Sequence, residues 1–234
     1  MPTTRKPKKK PDEISQLIAD IHERNLNFST REIYLHSAYG SGDEAGIDYR
    51  VATTFIKNMH ILEQFGRGNI LVHTHTIGGD WSDGMMILHA MRLSKCVVNT
   101  LAYGQASSMS GIIIQGADKR IMMPDCDFMI HHGSIYIDDS SRAAREAIVW
   151  NEKSCKRMLD IFAERAKTGK FFKERGDSVS KIKSYIDKKI QSKVDWYLTA
   201  EEAVYYGFAD GIYGEKGFDN LTKIRSGSKY KGKL

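Results

Sequence analysis

The 234-residue chain predicts an α/β domain built around a parallel sheet. Three observations carry this. Residues 69–76 and 96–103 are runs rich in Val, Leu and Thr, with the length and composition of buried strands. Each run ends in a glycine-bearing turn, Ile77-Gly78-Gly79 and Gly104-Gln105, and a helical segment follows. Strand–turn–helix repeated at this spacing calls for right-handed βαβ crossovers, and the length suits one domain with short appendages.

The elements follow in order. Residues 13–24 have helical spacing through Ile14, Leu17, Ile18 and Ile21. Residues 31–37 read as a first strand, 39–46 as glycine-rich punctuation and 49–65 as an amphipathic helix. After the strand at 69–76, residues 80–93 form a helix with Asp80 as its N-cap. The strand at 96–103 leads into a short glycine-bounded helix at 107–115. Short strands at 120–123 and 128–131 are separated by Pro124-Asp125. A pattern through Ala144, Ile148, Cys155, Leu159, Phe162 and Ala166 predicts one helix over 140–168, closed by Gly169 as a C-terminal cap. At 1.5 Å per residue that helix reaches roughly 40 Å, so it is expected to project and pack on a partner subunit. Thr199-Ala200-Glu201-Glu202 is a capping box that opens a last short helix, and 208–213 closes as a strand.

The net charge of +6 tempts one toward nucleic acid, but its location argues otherwise. Arg5, Lys6, Lys8, Lys9 and Lys10 lie in the first ten residues, and Lys223, Arg225, Lys229, Lys231 and Lys233 in the last twelve. Residues 11–222 between them carry −4, so the body is not a basic groove and the ends read as solvated tails. The expected division is a basic, flexible segment at 1–12, a folded domain at 13–214 and a basic tail at 215–234. No apolar run approaches the roughly 18 residues of a membrane span, and no apolar stretch follows the N-terminal charges, so a soluble, cytoplasmic protein is expected. Cys96, Cys126 and Cys155 are odd in number and widely spaced, which argues against a disulfide framework or a zinc site.

Four segments carry candidate chemistry. In Gly104-Gln105-Ala106-Ser107-Ser108-Met109 a serine follows a strand and opens a helix, where unpaired N–H groups stabilise a developing oxyanion. The segment is not a Gly-x-Ser-x-Gly elbow, which disfavours the α/β-hydrolase fold. Gly78 and Gly79 let a substrate approach the backbone, and the Gly78 N–H is a second candidate donor. In Phe128-Met129-Ile130-His131-His132-Gly133 a histidine at a strand end suits a general base. Strand alternation sends His131 and His132 to opposite faces, so one of them is expected at the site. Asp195, placed just before the capped helix, suits the acid that orients a histidine. Each segment taken alone is more often structural: serines cap helices, glycines make turns, and most histidines pack.

Taken together and in this order, the segments resemble the proteolytic subunit of the Clp protease, a serine peptidase. The resemblance covers residues 33–213, with a Gly-Gly turn, a Gly-Gln-Ala-x-Ser-Met turn, a Met-Ile-His strand and the stretch from Asp195 to Asp210. It implies Ser108 as nucleophile, His131 as base, Asp195 as the acid that holds it, and the N–H groups of Gly78 and Met109 as the oxyanion hole. It implies a crotonase-like subunit whose long helix interdigitates two heptameric rings, with protein or peptide substrates and a separate AAA+ unfoldase. No cofactor or metal is expected, and the chain lacks a Gly-x4-Gly-Lys-Ser/Thr phosphate loop, so ATP hydrolysis would belong to the partner. Ile77 stands where the family has proline, Ser110 where it has glycine, and His132-Gly133 where it has Gln-Pro; these leave the triad intact and alter the groove. Two rival readings are a crotonase-type acyl-CoA enzyme and a non-catalytic ring subunit. His73 and His75 share a strand face at a spacing that suits a metal, but with no third ligand in view they read as surface or packing residues.

Overall fold

A computed structural model describes residues 11–36, 46–135 and 137–232. The predicted loop at 39–45 and nearly all of the basic 1–12 segment lie outside these residues. The chain opens with α1 (Pro11–Arg24), the short β1 (Leu26–Asn27), β2 (Glu32–His36) and α2 (Tyr49–Gln64). Asp48 caps α2 by accepting from the N–H groups of Arg50 and Val51. Then come β3 (Ile70–Thr76), α3 (Trp81–Leu93), capped as expected by Asp80, and β4 (Val98–Ser107).

The sheet runs β1-β2-β3-β4-β5-β8, where β5 is Lys119–Met122 and β8 is Gly211–Ile212, and only the β1–β2 pair on that path is antiparallel. β4 is longer than predicted because Gly104, at φ 58°, bends the strand without ending it. Its first half pairs with β5 and its second half with β6 (Asp127–Ile130), which pairs in turn with the antiparallel β7 (Trp196–Leu198). β4 therefore carries the chain past the sheet edge to the site. The helix expected at 107–115 shrinks to α4 (Met109–Ile113) and a 3-10 turn at Ile114–Gly116.

α5 (Ser141–Ala166) is the predicted long helix. Its second half is buried through Met158, Leu159, Phe162 and Ala166, whereas Ile148, Val149 and Trp150 are exposed in its first half. Gly169 does not cap it in the left-handed region: with φ −62° it opens α6 (Lys170–Glu174). α6 and α7 (Val179–Lys193) fill a stretch to which the sequence reading assigns nothing, although Ile182, Ile186 and Ile190 mark one buried helical face. α8 (Ala200–Tyr206) carries the predicted capping box, in which Thr199 and Glu202 bond each other's backbone.

Two cores sandwich the sheet. The larger centres on Phe128, Phe162 and Phe208, with Phe128 stacked on Phe208 at 5.6 Å. The smaller lies on the other face, where Leu71, Leu101 and Ile121 from adjacent strands are covered by Ile224 of α9 (Leu221–Arg225). The expected solvated end is thus docked through residue 232. Ile224 is fully buried, Lys229 pairs with Asp118 at 2.9 Å, and the Arg165 guanidinium lies 3.9 Å from the Tyr230 ring centre. Lys223, Arg225 and Lys229 pair with the carboxylates of Asp219, Glu32 and Asp118, which a count of basic residues does not reveal. Among the described residues no helix is long and apolar enough to cross a membrane.

Candidate active site

β4 delivers Ser108 into a backbone conformation rare for a side-chain-bearing residue, φ 53° and ψ −125°. The Ser108 N–H donates to the Met129 carbonyl at 3.0 Å, which continues the β4–β6 ladder. Met109 begins α4, so its N–H has no intrahelical acceptor. The turn at Ser108 is therefore a sharp strand-to-helix corner, although neither flank of Ser108 is glycine.

The structure brings Ser108, His131 and Asp195 together. Ser108 Oγ lies 2.7 Å from His131 Nε2, and His131 Nδ1 lies 3.1 Å from Asp195 Oδ1. With the proton on Nδ1, the ring donates to Asp195 and accepts from the serine hydroxyl. Asp195 stands before β7 rather than directly before a helix, and the register that sets Ile130 opposite Trp196 carries it beside His131.

Gly78 sits where the sequence puts it, at the nucleophile turn, but its N–H donates to Thr76 Oγ1 at 3.2 Å. Gly79, rather than Gly78, lines the groove beside Ser108 and Met109. The parallel bridge between Ile47 and Gly79 uses the N–H groups of Ile47 and Asp80 and leaves that of Gly79 out. The Gly78 N–H, expected to face an oxyanion, is thus directed at Thr76, whereas the Gly79 N–H takes no part in the bridge. The cause is local: the Thr76 hydroxyl folds back over the first glycine of the turn.

The groove has a volume of about 570 Å³. Its walls include Trp81 of α3, Met109 and Ile112 of α4, Ile135, and Trp150 and Met158 of α5. His132 lines it as well, which corrects the expectation of opposite faces. β6 ends at Ile130, so the alternation stops before either histidine. His132 Nε2 lies 3.1 Å from Asp187 of α7. Cys155 also faces the groove, and burial raises its thiol pKa, so it is held as a resting thiol rather than a rival nucleophile. Sequence reasoning singled out Gly79 only as room for a substrate, and it missed Trp81 and the Asp187 partner; of these two only Trp81, directly after the Gly-Gly turn and its Asp80 cap, left a signal to follow.

His73 and His75 lie outside this site. His73 Nδ1 contacts the Tyr103 hydroxyl at 2.9 Å, its ring stacks on Tyr34 at 4.9 Å, and His75 Nδ1 contacts the Tyr103 carbonyl. His73 packs and His75 lies at the surface, as the blander reading expects. No metal-binding cluster occurs among the described residues.

The model of the Clp protease family matches residues 43–216. ATP-dependent Clp protease proteolytic subunits from Streptococcus pyogenes serotype M5 (strain Manfredo) and Streptococcus gordonii (strain Challis) are each 27% identical over 175 residues, 71% of this chain and 80% of theirs. A mutant ClpP1 from Listeria monocytogenes has a solved structure with a TM-score of 0.64 at 20% identity, covering 84% of this chain and 96% of that one. The last likeness shows the fold, a crotonase-like α/β subunit.

Proposed function

The chain belongs to the Clp protease family, and on that footing we propose that it is a serine endopeptidase acting through Ser108, His131 and Asp195. The observation that carries the proposal is the unbroken relay from Ser108 Oγ through both ring nitrogens of His131 to Asp195. His131 Nε2 takes the hydroxyl proton as Oγ attacks the peptide carbonyl carbon, and Asp195 stabilises the imidazolium. The oxyanion accepts from the Met109 and Gly79 N–H groups. Collapse breaks the C–N bond, His131 returns the proton to the departing amine, and water repeats the sequence to release the acyl group.

The apolar groove walls suit an extended, unfolded chain rather than a folded surface. The exposed Ile148, Val149 and Trp150 on α5 support packing against a second copy, in the paired heptameric rings that the family resemblance implies. Substrate threading would then come from a separate ATPase, in keeping with the ATP-dependent names of the relatives. On this reading residues 13–214 are the peptidase domain, the 215–234 segment folds back onto it through residue 232, and the complex works in the cytoplasm.

The test is a fluorophosphonate probe read by intact mass, with Ser108→Ala and His131→Ala beside the native chain. One adduct, lost in S108A and strongly slowed or lost in H131A, is expected. A well-folded, ring-sized native assembly that takes no adduct would overturn the proposal.

A further inference from the structure

The helix and strand that flank Asp195 are both anchored from inside. Ile182, Ile186 and Ile190 bury one face of α7. Trp196 is buried edge-on against Tyr206 and Phe208, at 5.2 and 5.7 Å. Between Ile190 and Trp196 the chain must leave a helix, reverse, and enter a strand in register. It does so at one residue. Val194 has φ 65° and ψ −67°, and its N–H closes α7 onto the Ile190 carbonyl at 2.8 Å. The next N–H, of Asp195, returns to the Lys193 carbonyl at 2.8 Å.

A bond from residue i to i+2 around these dihedrals is a γ-turn of the rare, strained hand. A β-branched side chain there is an outlier, and no burial of that side chain compensates it, because Val194 is 75% exposed. Strain of this kind persists where the surroundings over-determine the backbone, and it gathers at functional sites. The consequence lies one residue on. The ladder ends with Ile130 opposite Trp196, and one step beyond it Asp195 meets His131 at 3.1 Å. A turn one residue longer would slide the register and turn the carboxylate to the other face.

We propose that Val194 is a positioning residue: its single-residue γ-turn locks the register that holds Asp195 against His131. The inference rests on the triad reading above.

Its test uses the full chain and fluorophosphonate inactivation, resolved into the saturating rate per folded molecule and the half-saturating concentration. Asp195→Asn is the reference, expected to lower the saturating rate by roughly 10²–10⁴-fold. Val194→Gly reaches the same turn without strain and is expected to stay within about twofold of the native chain. Val194→Pro cannot, since its ring fixes φ near −65° and removes the N–H that closes α7. It is expected to match D195N, and the V194P/D195N double variant to be no slower than D195N alone, because both remove one contact. Should V194P fail to fold, the V194G variant with a second glycine inserted after position 194 lengthens the turn without proline and is expected to fall equally. A folded V194P or insertion variant that reacts at the native rate, beside an impaired D195N, overturns this inference alone. A native rate in D195N removes the triad reading and this inference with it. A fall only in the amount of folded protein, with the native rate per folded molecule, or a loss of rate that adds to that of D195N, marks Val194 as merely structural and also overturns it.

Discussion

Replacing Gly78 with alanine puts a methyl group directly against the Ser108 turn. The new Cβ would lie 2.6 Å from Ser108 Cβ, 2.8 Å from the Met109 nitrogen and 2.9 Å from the Ser107 carbonyl oxygen. Carbon atoms rest at about 3.5–4.0 Å, so the nucleophile turn must retreat by roughly 0.9 Å or more. All three neighbours belong to that turn, and two of them are backbone atoms that cannot swing aside. Misplacing a reacting group by about 1 Å costs on the order of 10²-fold in rate. The φ of 109° adds strain for any side-chain-bearing residue, so stability should fall by about 2–5 kcal/mol from backbone and overpacking together. Gly176→Ala separates the two effects, because Gly176 has φ 62° and nothing within 4 Å of a new Cβ. G176A should lose stability alone. G78A should lose stability and, measured on the folded fraction, about 10²-fold in the saturating rate of fluorophosphonate labelling. A folded G78A that labels within threefold of the native chain would refute the claim that this contact sets the nucleophile's place.

Two further outcomes concern charges away from the site. Burial pulls the Asp210 carboxyl upward, but the Arg120 charge and hydrogen bonds, with Arg165 behind, hold it below the usual carboxylate range. Asp210→Asn would leave the buried Arg120 and Arg165 without their carboxylate, and because Asp210 is itself one-third exposed the loss should be about 2–4 kcal/mol in urea unfolding. In the native chain the Asp210 contribution is full above the unfolded carboxylate pKa and is lost as the pH falls through the lower folded value. Burial lowers His73 to about 4, and the nearby Glu32 does not reverse this because Arg225 engages its carboxylate. Below pH 6.5 the unfolded chain takes up a proton that the folded chain refuses, so up to about 3 kcal/mol of stability should drain away between pH 6.5 and 4. His73→Phe should flatten that slope in chemical unfolding, and an unchanged slope would assign it to other groups.

Much of the frame was legible before any coordinates. Asp80 and the Thr199 capping box place two helix starts because capping is local chemistry, and the runs at 69–76 and 96–103 mark the central parallel strands because both faces are buried. What escaped was decided by distant partners. β4 runs on through Gly104 because β6 takes over from β5 as its neighbour, a switch that periodicity within one segment does not show. α7 was missed although its isoleucines recur every four residues, since its many lysines mask them. The basic C-terminal segment reads as solvated until Asp118, Asn69, Asn99 and Glu32 are found waiting for it on four other segments. At the site, the order of the motifs located Ser108, His131 and Asp195 together, whereas the engagement of the Gly78 N–H by the Thr76 hydroxyl left no mark in the motif.

The nucleophile corner explains why the order of motifs says more here than any single one. An elbow bracketed by glycines makes its own room, and the spacing then betrays it locally. Ser107 and Met109 make no such room. It is supplied instead from three places remote in sequence or packed from behind. Gly78 faces Ser108. Gly84 of α3 receives the Met109 side chain, whose Cγ would lie 2.2 Å from an added Cβ. Gly111 clears the Ala106 carbonyl and the Phe128 ring, each 3.2 Å from an added Cβ. The strained dihedrals of Ser108 are thus held by tertiary packing rather than permitted by its neighbours. Such a corner keeps its geometry only while α3, β3 and β6 stay packed around it, so reactivity at Ser108 should respond to substitutions on those elements before it responds to changes in the flanking sequence.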